Sequence, residues 1–150
     1  MKNIFLNTEV EEVIARIEKL TPQTSALWGK MNVAQMLAHC NVTYELIYEN
    51  KHPKPGVFKT FILKAFVKGI VVNEKPYKKG SPTAPEFVIV NQKDFEVEKA
   101  RLISFLKQTL ANGEVYFEGK ESHSFGKLTG KEWNNMFYKH LDHHLAQFGV

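Results

Sequence analysis

The chain has 150 residues, 43% hydrophobic and 24% charged, with a formal net charge of +4 and one cysteine. This length suits a single domain spanning residues 1–150 with a sizeable core, and the composition excludes disordered, collagen-like and low-complexity classes. One thiol, Cys40, excludes an intramolecular disulfide framework, and no stripe of Lys and Arg alternates with stacking aromatics, so nucleic acid is not an expected partner.

Met1 to Leu6 does not read as a signal peptide, and it is followed by the acidic Glu9, Glu11 and Glu12. No apolar run reaches the roughly 18 to 20 residues that span a bilayer. A reducing, cytoplasmic setting is the expectation.

Asn7 or Thr8 can cap a first helix running to about Lys19, with Val10, Val13, Ile14 and Ile17 at helical spacing. Thr21 and Pro22 break it. A second helix starts at Asn32, with Gln35 three residues on in capping-box register, and continues to about Tyr48. Cys40 falls within it beside Leu37, as a buried thiol would.

Between Glu49 and Asn91 the prolines and glycines Pro53, Pro55, Gly56, Pro76, Gly80, Pro82 and Pro85 confine regular structure to short pieces. Phe58 to Gly69 is expected to be one short helix, and Phe87 to Val90 the one plausible strand. Asp94 to Leu110 restores a helical period through Phe95, Val97, Leu102, Phe105, Leu106 and Leu110, and Asn112-Gly113 supplies a stop. After a connection from Glu114 to Leu128, Thr129 caps a last helix, with Glu132 completing a second capping box. The expected fold is all-α: a four-helix bundle with a long crossover between helices 2 and 3.

Three of the six histidines, His140, His143 and His144, lie within five residues of the last helix. At roughly 100° per residue, Trp133, Phe137, His140, His144 and Phe148 project within an arc of about 80°. His140 and His144 therefore point inward at the i, i+4 spacing that lets two ring nitrogens meet on one metal ion. His39, on the flank of the second helix's apolar arc, can join them, leaving a position open to water or substrate. Beside this stands the ordinary reading of core histidines with satisfied hydrogen bonds, which holds for most single histidines near an apolar face.

His143 borders the stripe and is a pocket or supporting residue or a surface one. Asp142 is expected to face solvent. His123, in a loop able to fold over the bundle's open end, is either a pocket residue or a surface one. His52 has no partner at ligand spacing and is assigned to the surface. Trp28 and Tyr44 are core residues first and pocket-lining candidates second. His143, His123 and Glu45 are weak candidates for a general acid or base, and the catalytic residues stay unassigned.

The segments Asn32-Val33-Ala34-Gln35-Met36-Leu37-Ala38-His39 and His140-Leu141-Asp142-His143-His144-Leu145-Ala146-Gln147 resemble the two motifs of the DinB-like (DinB/YfiT) superfamily. Ser122 to Thr129, Glu132-Trp133 and Gln147-Phe148-Gly149 resemble a subgroup of bacterial proteins of unknown function within it. The similarity spans about Thr8 to Gly149. It implies an up-down-down-up bundle whose divalent metal, usually zinc or nickel, is held by His39, His140 and His144. Relatives include metal-dependent hydrolases, thiol S-transferases using bacillithiol or mycothiol, and a mycothiol-dependent maleylpyruvate isomerase. The resemblance thus implies a small-molecule substrate such as a low-molecular-weight thiol, and many members form homodimers.

The chain departs from those relatives in its crossover from Lys51 to Lys79, which carries eight lysines against Glu74 alone. That segment either draws in an anionic thiol or carboxylate or is simply a solvated surface. The leading expectation is a metal-dependent hydrolase or thiol transferase. A non-catalytic metal or small-ligand binding protein is the alternative. A membrane-surface role through Phe58 to Val72 stands third, and a membrane is not an expected partner.

Overall fold

The computed structural model describes residues 1–49 and 51–150. In chain order the elements are α1 (Asn7–Glu18), α2 (Val33–Tyr48), α3 (Val57–Ile62), a π-turn segment (Leu63–Val67), α4 (Lys68–Val72), a 3-10 turn (Pro85–Phe87), α5 (Phe95–Phe117), β1 (Glu121–Ser122), β2 (Gly126–Lys127) and α6 (Gly130–Gln147). The molecule is mostly helical. Both α5 and α6 pack against α1 and α2 and against each other.

Both capping boxes form. Gln35 N donates to Asn32 Oδ1 at 2.8 Å while Asn32 N donates to Gln35 Oε1 at 3.0 Å, and Thr129 and Glu132 make the same exchange at the start of α6. These boxes set where α2 and α6 begin, and hence the axial level at which His39 and His140 sit. The cap expected on α1 does not form: Asn7 is already helical and its side chain donates to Glu11, while Leu6 occupies the cap position without a side-chain bond.

One core joins α1, α2, α5 and α6 through Val10, Val13, Ile17, Met36, Leu37, Tyr44, Leu102, Leu106, Phe137 and Leu141 among others. The Tyr44 ring stacks between Phe105 at 5.6 Å and Phe137 at 5.2 Å, so it belongs to this core rather than to a pocket wall. Cys40 is buried beside it, and burial pushes its thiol well above the usual range.

The third long helix overruns the stop expected at Asn112-Gly113. Gly113 adopts φ 69° and ψ 169°, a conformation that favours glycine, and bends the chain before one more turn ends at Phe117. That turn persists because Phe117 is fully buried, its ring 5.3 Å from Phe5, 5.5 Å from Trp133 and 5.3 Å from Phe137. Burying such a side chain contributes about 2–3 kcal/mol, more than the local cost of a glycine bend. A hairpin, Glu121–Ser122 against Gly126–Lys127, then returns the chain to α6.

The crossover also differs from expectation. Its helical stretch covers residues 57–72, longer than Phe58 to Gly69, and Phe87 closes a 3-10 turn instead of opening a strand. The sequence offers no local signal for the first difference. The stretch is held at its far end by Lys139 of α6, whose buried ammonium donates to Ile70 O at 2.8 Å, Asn73 O at 2.6 Å and Asn73 Oδ1 at 3.1 Å. Asn135 Nδ2 adds a bond to Val72 O at 2.9 Å. Two side chains of α6 thus satisfy carbonyls that a helix C-terminus leaves without partners. Among the described residues no helix is long and apolar enough to cross a membrane.

Candidate metal centre

The fold brings His39 of α2 together with His140 and His144 of α6, one ligand atom from each lying within 4.8 Å of the others. His39 and His144 are buried, and His140 keeps partial exposure. The rings sit at centroid distances of 4.9 Å (His39 to His140), 4.5 Å (His39 to His144) and 4.8 Å (His140 to His144). On α6 the helical period stacks the i, i+4 pair on one face, as its spacing requires.

Each ring has a partner on its Nδ1 side. His39 Nδ1 lies 2.8 Å from Phe87 O, His144 Nδ1 lies 2.8 Å from Gln147 Oε1, and His140 Nδ1 lies 3.0 Å from Thr43 Oγ1. A backbone carbonyl only accepts, so His39 must carry its proton on Nδ1, and a neutral imidazole then has a bare lone pair at Nε2. The Gln147 amide is oriented in turn, because its Nε2 donates to Trp28 O at 2.7 Å, which leaves Oε1 facing His144 as acceptor. His144 is therefore also protonated at Nδ1 and bare at Nε2.

Thr43 is different, since a hydroxyl can donate or accept. With the proton on Nδ1, His140 offers a third bare Nε2. With the proton on Nε2, it donates across 3.0 Å to His39 Nε2. The centre is thus built so that two lone pairs face inward in all cases and a third can join them, with either a proton or a cation between His39 and His140. Donation of the second ring nitrogen to a carbonyl, amide or hydroxyl oxygen is the usual support for a metal-ligating histidine.

Electrostatics keep these rings neutral. Burial pulls His39 below the ordinary histidine range against the opposing pull of the Phe87 carbonyl. Burial, then the neighbouring imidazoles, pulls His140 well below it. His144 is pushed down to about 3 by burial and by His39. Three neutral imidazoles at neutral pH are the ligand-competent form.

The other site candidates are distributed around this centre. The ring of His143 is 5.0 Å from that of His144 and packs edge-on with Trp28 at 5.9 Å and Tyr77 at 5.7 Å, and burial lowers its pKa while Asp142 opposes. Trp28 is thus next to the centre through His143, with Lys79 Nζ 4.1 Å above its ring. His123 is engaged elsewhere, with Nδ1 3.0 Å from Ser124 Oγ and Nε2 3.4 Å from His52 O.

The surface assignment of His52 is corrected: its side chain is half-buried and its Nε2 lies 2.8 Å from Glu45 Oε2. Glu45 also pairs with Arg101, and against the effect of burial the hydrogen bonds from His52 and Arg101 hold its carboxyl below the usual range, so it belongs to an α2–α5 ion network. Asp142 is half-exposed, as expected, and Arg16 Nη1 donates to it at 2.8 Å.

Thr43, Phe87 and Gln147 were not singled out as site residues by sequence. Thr43 stands four positions after His39, on the same face of α2, and Gln147 ends the His-x-x-His-His-x-x-Gln pattern, so both had a spacing signal. Phe87 acts through its carbonyl, which no side-chain pattern announces.

The family is decided by a match that covers nearly the whole chain. The model of one family, described as Protein of unknown function (DUF1569), matches residues 4–149. The chain belongs to that family. All the residues of the centre, and the loop and crossover around it, fall inside the family's span. No curated protein and no solved structure matches the chain.

Proposed function

We propose that this protein is a metal-dependent enzyme of hydrolase or thiol-transferase type, built as a DinB-like four-helix bundle with up-down-down-up order. His39, His140 and His144 would hold a divalent ion, zinc or nickel, through their Nε2 atoms. The observation that supports this best is the set of Nδ1 partners, Phe87 O, Thr43 Oγ1 and Gln147 Oε1, which leave Nε2 unprotonated on His39 and His144, and on His140 when Thr43 accepts its Nδ1 proton. An ion there would lower the pKa of a coordinated water or thiol and so supply a nucleophile at neutral pH.

The chain's own residues would do the rest. Three protein ligands leave coordination positions open for water or substrate. Burial favours the neutral form of His143, which makes no hydrogen bond among the described residues, and this suits it to accept a proton. The rings of Trp28 and Tyr77 pack edge-on against it.

The second reading, a non-catalytic metal protein, is favoured by one observation: two carboxylates on the same helices as the histidines are engaged elsewhere, Glu45 with Arg101 and His52, and Asp142 with Arg16. Loading with Co²⁺ separates the two. An enzyme with an open position should show visible bands that shift when a low-molecular-weight thiol such as cysteine is added. Bands that stay unchanged with thiol, or with any change of pH between 6 and 9, would favour the closed, non-catalytic centre.

A further inference from the structure

The crossover helix, residues 57–72, presents its more apolar side to the outside. Val57 is 91% exposed, Phe58 78%, Phe61 68%, Phe66 71% and Ile70 61%. These residues, with Ile62, Ala65 and Gly69, recur at three- and four-residue intervals and make one continuous stripe. Against the body of the protein the helix sets Thr60, Leu63, Val67, Lys68, Val71 and Val72, a less apolar set in which Val72 alone is buried and the others are partly buried.

We infer that this stripe is the contact surface for a second copy of the chain, in a two-fold symmetric dimer. The area fits: three phenylalanines about 70% exposed, plus Val57, Ile62 and Ile70, amount to on the order of 700 Å² of apolar surface, close to the roughly 800 Å² per partner of a standard interface. That exceeds the roughly 300–600 Å² of the largest apolar patch on an ordinary monomer. A two-fold contact requires only that the stripe fit itself, and a 16-residue helix about 24 Å long can lie antiparallel on its twin. Ala65 and Gly69 in mid-stripe let the two axes approach between the phenylalanine rings.

The charges also favour a second copy over a lipid surface. Of the lysines on this helix, Lys59 reaches back to Glu86 at 3.3 Å and Lys68 to Glu132 at 2.9 Å. Lys64 lies over the hairpin, its Nζ 2.9 Å from where a Cβ on Gly126 would stand. Each lysine thus has a partner or a neighbour on the protein's own surface, and the stripe itself is uncharged, so two copies can meet without burying like charges. Lys139 and Asn135 hold the helix end in place, so the stripe is presented on a fixed support.

The proposal is independent of the metal centre and is tested on the full chain by sedimentation equilibrium. The wild type should be a dimer at micromolar concentration. Phe61→Glu and Phe66→Glu should each raise the dissociation constant about 30-fold or more, with unchanged helical circular dichroism. Since both positions are solvent-exposed in the monomer, unfolding is not expected, and Phe66→Ala serves as a milder variant if either Glu variant loses helicity. A monomeric wild type overturns the proposal. So does a dimer indifferent to all three substitutions, or a monomer that floats with phosphatidylglycerol vesicles through Phe61 and Phe66.

Discussion

His144 Nδ1 and Gln147 Oε1 are 2.8 Å apart, three residues apart on α6, and the same Gln147 amide donates to Trp28 O at 2.7 Å. One side chain thereby fixes the tautomer of a candidate ligand and staples the 25–31 loop to the helix. The close approach is possible because Gly29, at φ 88°, has no Cβ; one there would stand 2.5 Å from Gln147 Nε2. Gln147→Leu keeps the size and removes the orientation. It should weaken metal binding by about 10- to 100-fold, read by competition with a chromogenic chelator, and leave Trp28 O without its donor.

Tyr44→Phe tests the core assignment of that ring. The hydroxyl is buried and has no hydrogen-bond partner among the described residues, so its removal should leave stability unchanged or raise it by about 1 kcal/mol. Metal affinity should not move. A loss of affinity in chelator competition would return Tyr44 to the pocket.

Lys139→Met keeps the chain length and removes the ammonium that satisfies Ile70 O and Asn73 O. The expected loss is about 2–3 kcal/mol in urea unfolding. Amide exchange should quicken selectively in residues 68–75, because the crossover loses its anchor while the helices around the core do not.

Much of the fold was legible because it rests on local rules: the capping boxes at Asn32 and Thr129 and the helical period of α5 and α6 are written in adjacent residues. The differences lie where distant residues decide. The turn after Gly113 exists because Phe117 fits among Phe5, Trp133 and Phe137, and the crossover helix runs to Val72 because Lys139 and Asn135 receive its end. In the site, the spacing of His140 and His144 was readable as one face. That His39 meets them depends on two helices joined across a hundred residues, and that Phe87 orients His39 depends on a carbonyl, which has no letter of its own.

The depressed histidine pKa values make a signed pH prediction for the metal-free protein. His144 is pushed down to about 3 in the folded state, against about 6.5 when unfolded. Between those values the unfolded chain binds a proton that the folded chain does not, so stability falls as pH drops through 6.5. His144 alone should cost about 2 kcal/mol between pH 6.5 and 5. His39 and His140, shifted in the same direction, add to the loss. Urea midpoints of the chelator-treated protein across that range check this. A midpoint that is flat or rises on acidification contradicts neutral burial of these rings.

A metal centre requires lone pairs from His39, His140 and His144 to meet at one point, and metal analysis of untagged protein tests this most directly. After incubation with Zn²⁺ or Ni²⁺ and desalting, the wild type should retain about one ion per chain. His39→Ala, His140→Ala and His144→Ala should each retain little while keeping their helical circular dichroism. A wild type that retains no ion, or three variants that retain as much as it does, would contradict the centre and leave the three rings as a hydrogen-bonded part of the core.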